Sequence, residues 1–124
     1  MDCPKCGAPM EAIEFGEVVV DRCTSCHGIW FDMLEQEELK AQEGSEIIDS
    51  GDPAVGRRFD KVDRIDCPVC KVPMLRMVDA RQPHIHFESC PACYGAFFDA
   101  GEFRDFKQES LFDLLRDLIA GERK

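Results

Sequence analysis

The sequence is short of several things, and each scarcity narrows what the chain can be. In 124 residues no apolar run approaches the roughly 20 needed to cross a bilayer as a helix, so no membrane association is expected. The opening Met-Asp-Cys-Pro-Lys-Cys lacks the basic-then-apolar order of a signal peptide, which predicts a cytoplasmic protein. Lys and Arg number 15 against 25 Asp and Glu, for a formal net charge of -10 and a pI of about 4.7. So little positive charge argues against a non-specific binder of nucleic-acid phosphates, which needs clustered Lys and Arg to release counterions. There is no glycine-rich phosphate loop and no Ser–His–Asp or Cys–His arrangement among the 3 histidines, so no enzyme activity is predicted. The length allows one domain or two very small ones, and excludes a large enzyme scaffold.

Cysteine is what the chain has in excess, with 8 residues. A cytoplasm keeps thiols reduced, so disulfides are a poor use for them and metal is the better one. Their spacing says the same. Cys3-Pro4-Lys5-Cys6 is followed by Cys23-Thr24-Ser25-Cys26, and Cys67-Pro68-Val69-Cys70 by Cys90-Pro91-Ala92-Cys93. Each set matches C-x2-C, a spacer of about 15–20 residues, then C-x2-C, the pattern of a four-sulfur tetrahedral site. Two cysteines three apart fit one tight turn whose N–H groups point at the thiolates. Two such turns on the ends of a hairpin complete the tetrahedron. The expectation is one Zn2+ per set, held by Cys3, Cys6, Cys23 and Cys26 and by Cys67, Cys70, Cys90 and Cys93. Iron in the same cage, giving a rubredoxin-like electron carrier, is the alternative metal.

The two sets are copies of one module. Cys3 to Met10 aligns with Cys67 to Met74 at an offset of 64, and Cys23 to Glu35 with Cys90 to Glu102 at an offset of 67. The second hairpin is therefore the longer one. Met10 to Phe15 and Val18 to Asp21 read as strands around a Gly16-Glu17 turn. Met74 to Val78 and His84 to Phe87 read likewise around Ala80 to Pro83. After each second cysteine pair the pattern turns helical, and Asp32 with Glu35, like Asp99 with Glu102, has the spacing of a capping box. Helix-start chemistry is the preferred reading of these four acids over a catalytic carboxylate pair. Gly28 and Gly95 are expected to adopt backbone angles closed to other residues. Trp30-Phe31 and Phe97-Phe98 are expected to bury their rings against the hairpin.

The fold expected is a small metal-dependent α+β chain: two tandem ribbons, each a short β-hairpin plus a following helix. Ribbon 1 spans 1–43, a linker rich in Ser, Gly and Pro spans 44–66, ribbon 2 spans 67–108, and 109–124 is a C-terminal amphipathic helix. In that last segment Leu111, Phe112, Leu114, Leu115, Leu118 and Ile119 make a wide apolar stripe. It is expected to cap a ribbon; self-association or docking into a partner groove is the sharper alternative.

The pattern C-P-x-C…P-M…C-x-x-C-x-G-[WF]-F-D-x-x-E resembles the zinc ribbon of transcription factor IIB type found in small bacterial and archaeal proteins. The resemblance covers Cys3 to Lys40 and Ile65 to Phe106. It implies a pair of zinc ribbons with no enzymatic chemistry to inherit. Two positions depart from the pattern: Lys71 stands where the first copy has Gly7, and Met33-Leu34 where the second has Ala100-Gly101.

Rival chemistries fit the residues less well. Cys23 to His27 spells C-x-x-C-H, the attachment motif of haem c, but its copy has Tyr94 in place of His27. A thioredoxin-like use of either C-P-x-C would need a βαβ context. His84 and His86 share a strand face and are read as surface residues, and His27 as a neighbour able to hydrogen-bond a thiolate.

Charge is uneven between the copies. Residues 1–43 carry ten acids and three bases, and residues 67–104 four of each. The stretch Arg57 to Arg64 interleaves its four bases with Asp and reads as a solvated link. Ribbon 1 therefore suits a protein partner with a basic surface. A non-enzymatic adaptor, part of a transcription or translation machine, is the leading expectation, and nucleic-acid binding through the neutral ribbon 2 is the alternative.

Overall fold

A computed structural model of the chain describes residues 1–33, 35–42, 44–59, 61, 64–78 and 86–106. The expected amphipathic helix at 109–124, the turn Ala80 to Pro83 and His84 lie outside these residues. Strand β1 (Met10–Phe15) pairs antiparallel with β2 (Val18–Cys23), closing at Phe15 opposite Val18. Gly16 sits at φ 61° and Glu17 at negative φ, the signature of a type II′ hairpin turn with glycine at its first central position. The second copy repeats this with β4 (Leu75–Val78) and β5 (His86–Ser89), Leu75 opposite Ser89 as Glu11 is opposite Arg22.

Each copy holds one strand more than the hairpin-plus-helix expected from sequence: β3 (Ile29–Phe31) and β6 (Ala96–Phe98), each only three residues long. All six residues are buried, so no polar alternation marks them as strands. They join the copies. The strands form one six-stranded antiparallel sheet in the order β1-β2-β3-β6-β5-β4. At its centre Ile29 faces Phe98, Trp30 faces Phe97 and Phe31 faces Ala96. Trp30 and Phe97 are equivalent positions of the two copies, so a pseudo-twofold axis passes between them. The two ribbons meet as the halves of an isologous dimer do.

Alternation along these strands sends rings to both faces. On one face Phe31, Phe98, Phe103 and Phe106 pack with Val18, Val20, Leu39 and Ile48. Phe31 meets Phe98 edge-on at 5.4 Å and Phe87 stacks on Phe98 at 4.9 Å. On the other face Trp30 and Phe97 lie among the cysteines with Ile65 and Met74.

The glycines of this seam correct one expectation. Gly28 and Gly95 are not at positive φ; His27, Tyr94 and Lys71 are, at 61°, 62° and 60°. Glycine is needed at 28 and 95 because a ring from the other copy covers each. A Cβ on Gly28 would lie 2.2 Å from Cζ of Phe97, and one on Gly95 2.2 Å from Cζ2 of Trp30. Gly95→Ala should therefore destabilise the metal-loaded protein by about 1–3 kcal/mol through overpacking, as measured by urea denaturation; a smaller loss would mean the ring can slide aside.

After β3 the chain enters helix α1 (Glu35–Lys40). The Asp32 amide donates to Glu35 Oε1 at 2.8 Å, the reciprocal half of a capping box. After β6, residues 102–106 are helical. The connection between the copies has structure of its own: a 3-10 turn at Ser45–Ile48 and helix α2 (Pro53–Phe59). Asp49, 1% exposed, reaches from it into the second copy and accepts hydrogen bonds from the amides of Gly101 (2.9 Å) and Arg104 (3.0 Å). Arg104 returns its guanidinium to the carbonyls of Asp49 and Gly51. Burial pushes the Asp49 carboxyl above its ordinary range, against the pull of those two amides. Asp49→Ala is expected to cost about 2 kcal/mol, as helix caps do at their upper limit, read as a lower urea midpoint. Among the described residues no helix is long and apolar enough to cross a membrane.

Candidate metal centres

Each C-x2-C builds its turn in the same way. The amide of Cys3 bonds the Ala8 carbonyl at 2.8 Å and that of Gly7 the Cys3 carbonyl at 3.0 Å; Cys67, Val72 and Lys71 repeat the pair at 2.8 and 2.9 Å. The residue after the second cysteine must then turn left-handed, as Gly7 does at φ 79°. Lys71 and Tyr94 accept the same conformation without glycine's freedom. Lys71 thus keeps the geometry of the position it departs from.

The turns aim amides at sulfur. Ser25 and Cys26 donate to Cys23 Sγ at 3.3 and 3.4 Å, Val69 and Cys70 to Cys67 Sγ at 3.4 and 3.2 Å, and Ala92 and Cys93 to Cys90 Sγ at 3.4 Å each. Such donors favour thiolate over thiol. The hairpins bring the pairs together: Cys3, Cys6, Cys23 and Cys26 form one group, Cys67, Cys70, Cys90 and Cys93 the other, with ligand atoms within 4.8 Å of one another. All eight sequence-predicted residues fall into these groups, and none forms a disulfide. His27 and His86 belong to neither.

These groups fit a tetrahedral ion. With Zn–S bonds of about 2.3 Å, sulfurs at the corners of a tetrahedron lie about 3.8 Å apart. Cys3 and Cys26 are at 3.7 Å, Cys67 and Cys93 at 3.7 Å, and Cys6 and Cys23 at 3.3 Å, all far beyond a covalent bond between sulfurs. Sharing a hydrogen bond with Cys26 brings the Cys3 thiol down to about 5, while Cys26 is pushed up. Burial raises Cys90, but the amides of Cys93 and Ala92 more than offset it, leaving about 7; burial drives Cys93 up to about 12. Each group thus pairs a thiol that ionises easily, Cys3 or Cys90, with one pushed up, Cys26 or Cys93, whose proton a metal must displace. Zinc uptake should release protons, and affinity should rise with pH. On acidification both groups are expected to release zinc as protons compete with it for the sulfurs. Zinc release on lowering the pH, followed with a chromophoric indicator, reads this, and an affinity that does not change with pH would refute it.

Two sulfur tetrahedra, each at the root of a three-stranded ribbon, define a double zinc-ribbon protein. The profile of the transcription factor zinc-finger family, the TFIIB-type zinc ribbon, matches residues 2–42 and again 66–109. The chain belongs to that family, in two tandem copies, and its two four-cysteine groups are its zinc sites. Comparison with curated proteins and with solved structures returns no match.

Beside these groups lies a cluster that sequence reading missed. Lys5, inside the first knuckle, places Nζ 2.7 Å from Glu88 Oε1 and 2.7 Å from Asp99 Oδ2. Asp99 reads from the sequence as helix-start chemistry; its carbonyl does accept from the Glu102 amide, while its carboxylate takes the lysine. The counterpart Asp32 accepts instead from Trp30 Nε1 at 3.2 Å. No periodicity distinguishes Lys5 or Glu88. The one available sign was that Val69 stands where the first copy has lysine.

Proposed function

We propose that the protein is a non-enzymatic zinc adaptor of the cytoplasm. Cys3, Cys6, Cys23 and Cys26 hold one Zn2+ and Cys67, Cys70, Cys90 and Cys93 the other, within modules 1–43 and 67–108 joined by 44–66. The metal fixes the shape and the acidic first ribbon docks on a protein with a basic surface. The observation that carries this is the outer edge of the sheet: Glu11 and Glu14 on β1 and Glu17 in its turn are all exposed, in a half that carries ten acids against three bases. Acidic side chains along an edge strand repel nucleic-acid backbone and attract a cationic partner.

The test uses the full zinc-loaded chain. A partner captured through this edge should be basic, its binding should weaken with added salt, and Glu11→Lys/Glu14→Lys/Glu17→Lys should abolish capture while leaving zinc content unchanged. Capture that survives charge reversal would refute the docking face. Tight, salt-sensitive binding to DNA or RNA would replace this reading with a nucleic-acid one.

A further inference from the structure

The side chain of Lys5 belongs to one knuckle by sequence and to the other ribbon by contact. Besides Glu88 and Asp99, Nζ donates to the Phe59 carbonyl at 3.1 Å and stands 5.7 Å from the centre of the Phe97 ring. The side chains of Lys5, Glu88 and Asp99 are 0%, 1% and 1% exposed. Arg76, on β4, approaches Glu88 at 3.8 Å from the partly solvated side. Lys5 thus joins two buried carboxylates, and Arg76 stands beside one of them at the surface.

This bridge is not part of the repeated module. The second copy has Val69 at the position of Lys5, and Val69 is 55% exposed. Asp21 and Asp32 occupy the positions of Glu88 and Asp99. A ribbon of this kind therefore folds without a knuckle lysine, and Lys5 exists for the other half.

Both ends of the bridge sit beside cysteines of different sites. Lys5 lies between Cys3 and Cys6, so the position of its backbone is set by whether both sulfurs grip one ion. Glu88 is two residues before Cys90 on β5, and Asp99 directly follows β6, which pairs with β5 at Glu88 opposite Phe97. Two buried carboxylates that share one ammonium are destabilised when that ammonium is withdrawn. We propose that Lys5 is a positioning residue that couples the two metal centres. Zinc in the first site presents the ammonium to Glu88 and Asp99, which holds β5, and with it Cys90, in the geometry the second site needs. By linkage, zinc in the second site strengthens binding at the first by the same factor.

The inference rests on the eight cysteines being the ligands, and the experiment separates the two. Zinc is titrated into the full chain against a chromophoric chelator, and stoichiometry is read first. Fewer than two Zn2+ per native chain would sink the ligand assignment before any coupling is measured. The coupling factor is then the affinity of the first site with the second occupied, divided by its affinity in Cys67→Ser/Cys70→Ser. It is expected to exceed about tenfold, within the usual range of coupling between sites. In Lys5→Met it should fall at least about fivefold; the remainder is carried by the shared sheet. A residue that merely stabilised the fold would weaken binding with and without the second site alike and leave the factor unchanged, so an unchanged factor overturns the proposal. If Lys5→Met fails to take up two Zn2+, the same ratio is measured in Asp99→Asn, which keeps the shape and removes one charge. An unchanged ratio there overturns it equally.

Discussion

Removing zinc with excess chelator is expected to dissolve the whole six-stranded sheet, read as loss of the far-ultraviolet circular dichroism of the folded chain and a red shift of Trp30 fluorescence. Each module of about 40 residues is too small to fold on an apolar core of its own, so metal must shape both before their shared core can close. Structural zinc contributes on the order of 10–16 kcal/mol per site at neutral pH, as much as or more than the entire net stability of an ordinary domain. The cysteines are also core residues here: Cys23, Cys67 and Cys90 are fully buried, and Trp30 and Phe97 pack among them. Chelation would therefore leave the central ring pair without a floor, and the seam between β3 and β6 should open with it. Trp30 is the one tryptophan of the chain and is 1% exposed, so its emission reports that event directly. Readdition of zinc should restore both signals. A chelated protein that keeps them would show that the sheet stands without metal.

The second large effect is expected at Lys5. In zinc-saturated buffer, Lys5→Met should cost about 3–5 kcal/mol in urea denaturation, the usual penalty for removing one partner of a buried ion pair. The loss comes less from missing attraction than from two buried carboxylates deprived of the ammonium they share. The control follows from that cause. Lys5→Met combined with Glu88→Gln and Asp99→Asn removes the stranded charges and should recover most of the stability. If the triple variant is no better than the single one, the lysine acts by packing and not by charge.

The chemistry of the site was legible in the sequence and its assembly was not. Sulfur spacing announces a tetrahedron because ligand geometry is local: four residues make each turn, and a hairpin of fixed register brings two turns together. Gly16-Glu17 announces its hairpin for the same reason. The union of the copies is a long-range fact carried by two three-residue strands, and Ile29–Phe31 is too short and too uniformly buried to show a period. Gly28 and Gly95 stand out in the sequence, but as positions of backbone freedom; the structural reason is a ring of the other copy, 69 residues away for Gly28 and 65 for Gly95. The packed connection escaped notice because Ser, Gly and Pro mark it as a link, and nothing local says that Asp49 will cap amides at Gly101 and Arg104. Lys5 escaped because a lysine in an acidic chain looks like any solvated charge until its two carboxylates are located.

The seam at Trp30 and Phe97 has one more consequence. In a dimer of identical chains every substitution appears twice, once on each side of the axis, so neither side can specialise alone. Fusing the two halves into one chain lifts that restriction. One end of the sheet can become acidic while the other stays neutral, histidine can stand at position 27 with tyrosine at its equivalent 94, and a lysine can be placed at position 5 with valine at 69. Had the halves been separate copies, a buried ammonium would have been required on both sides or on neither.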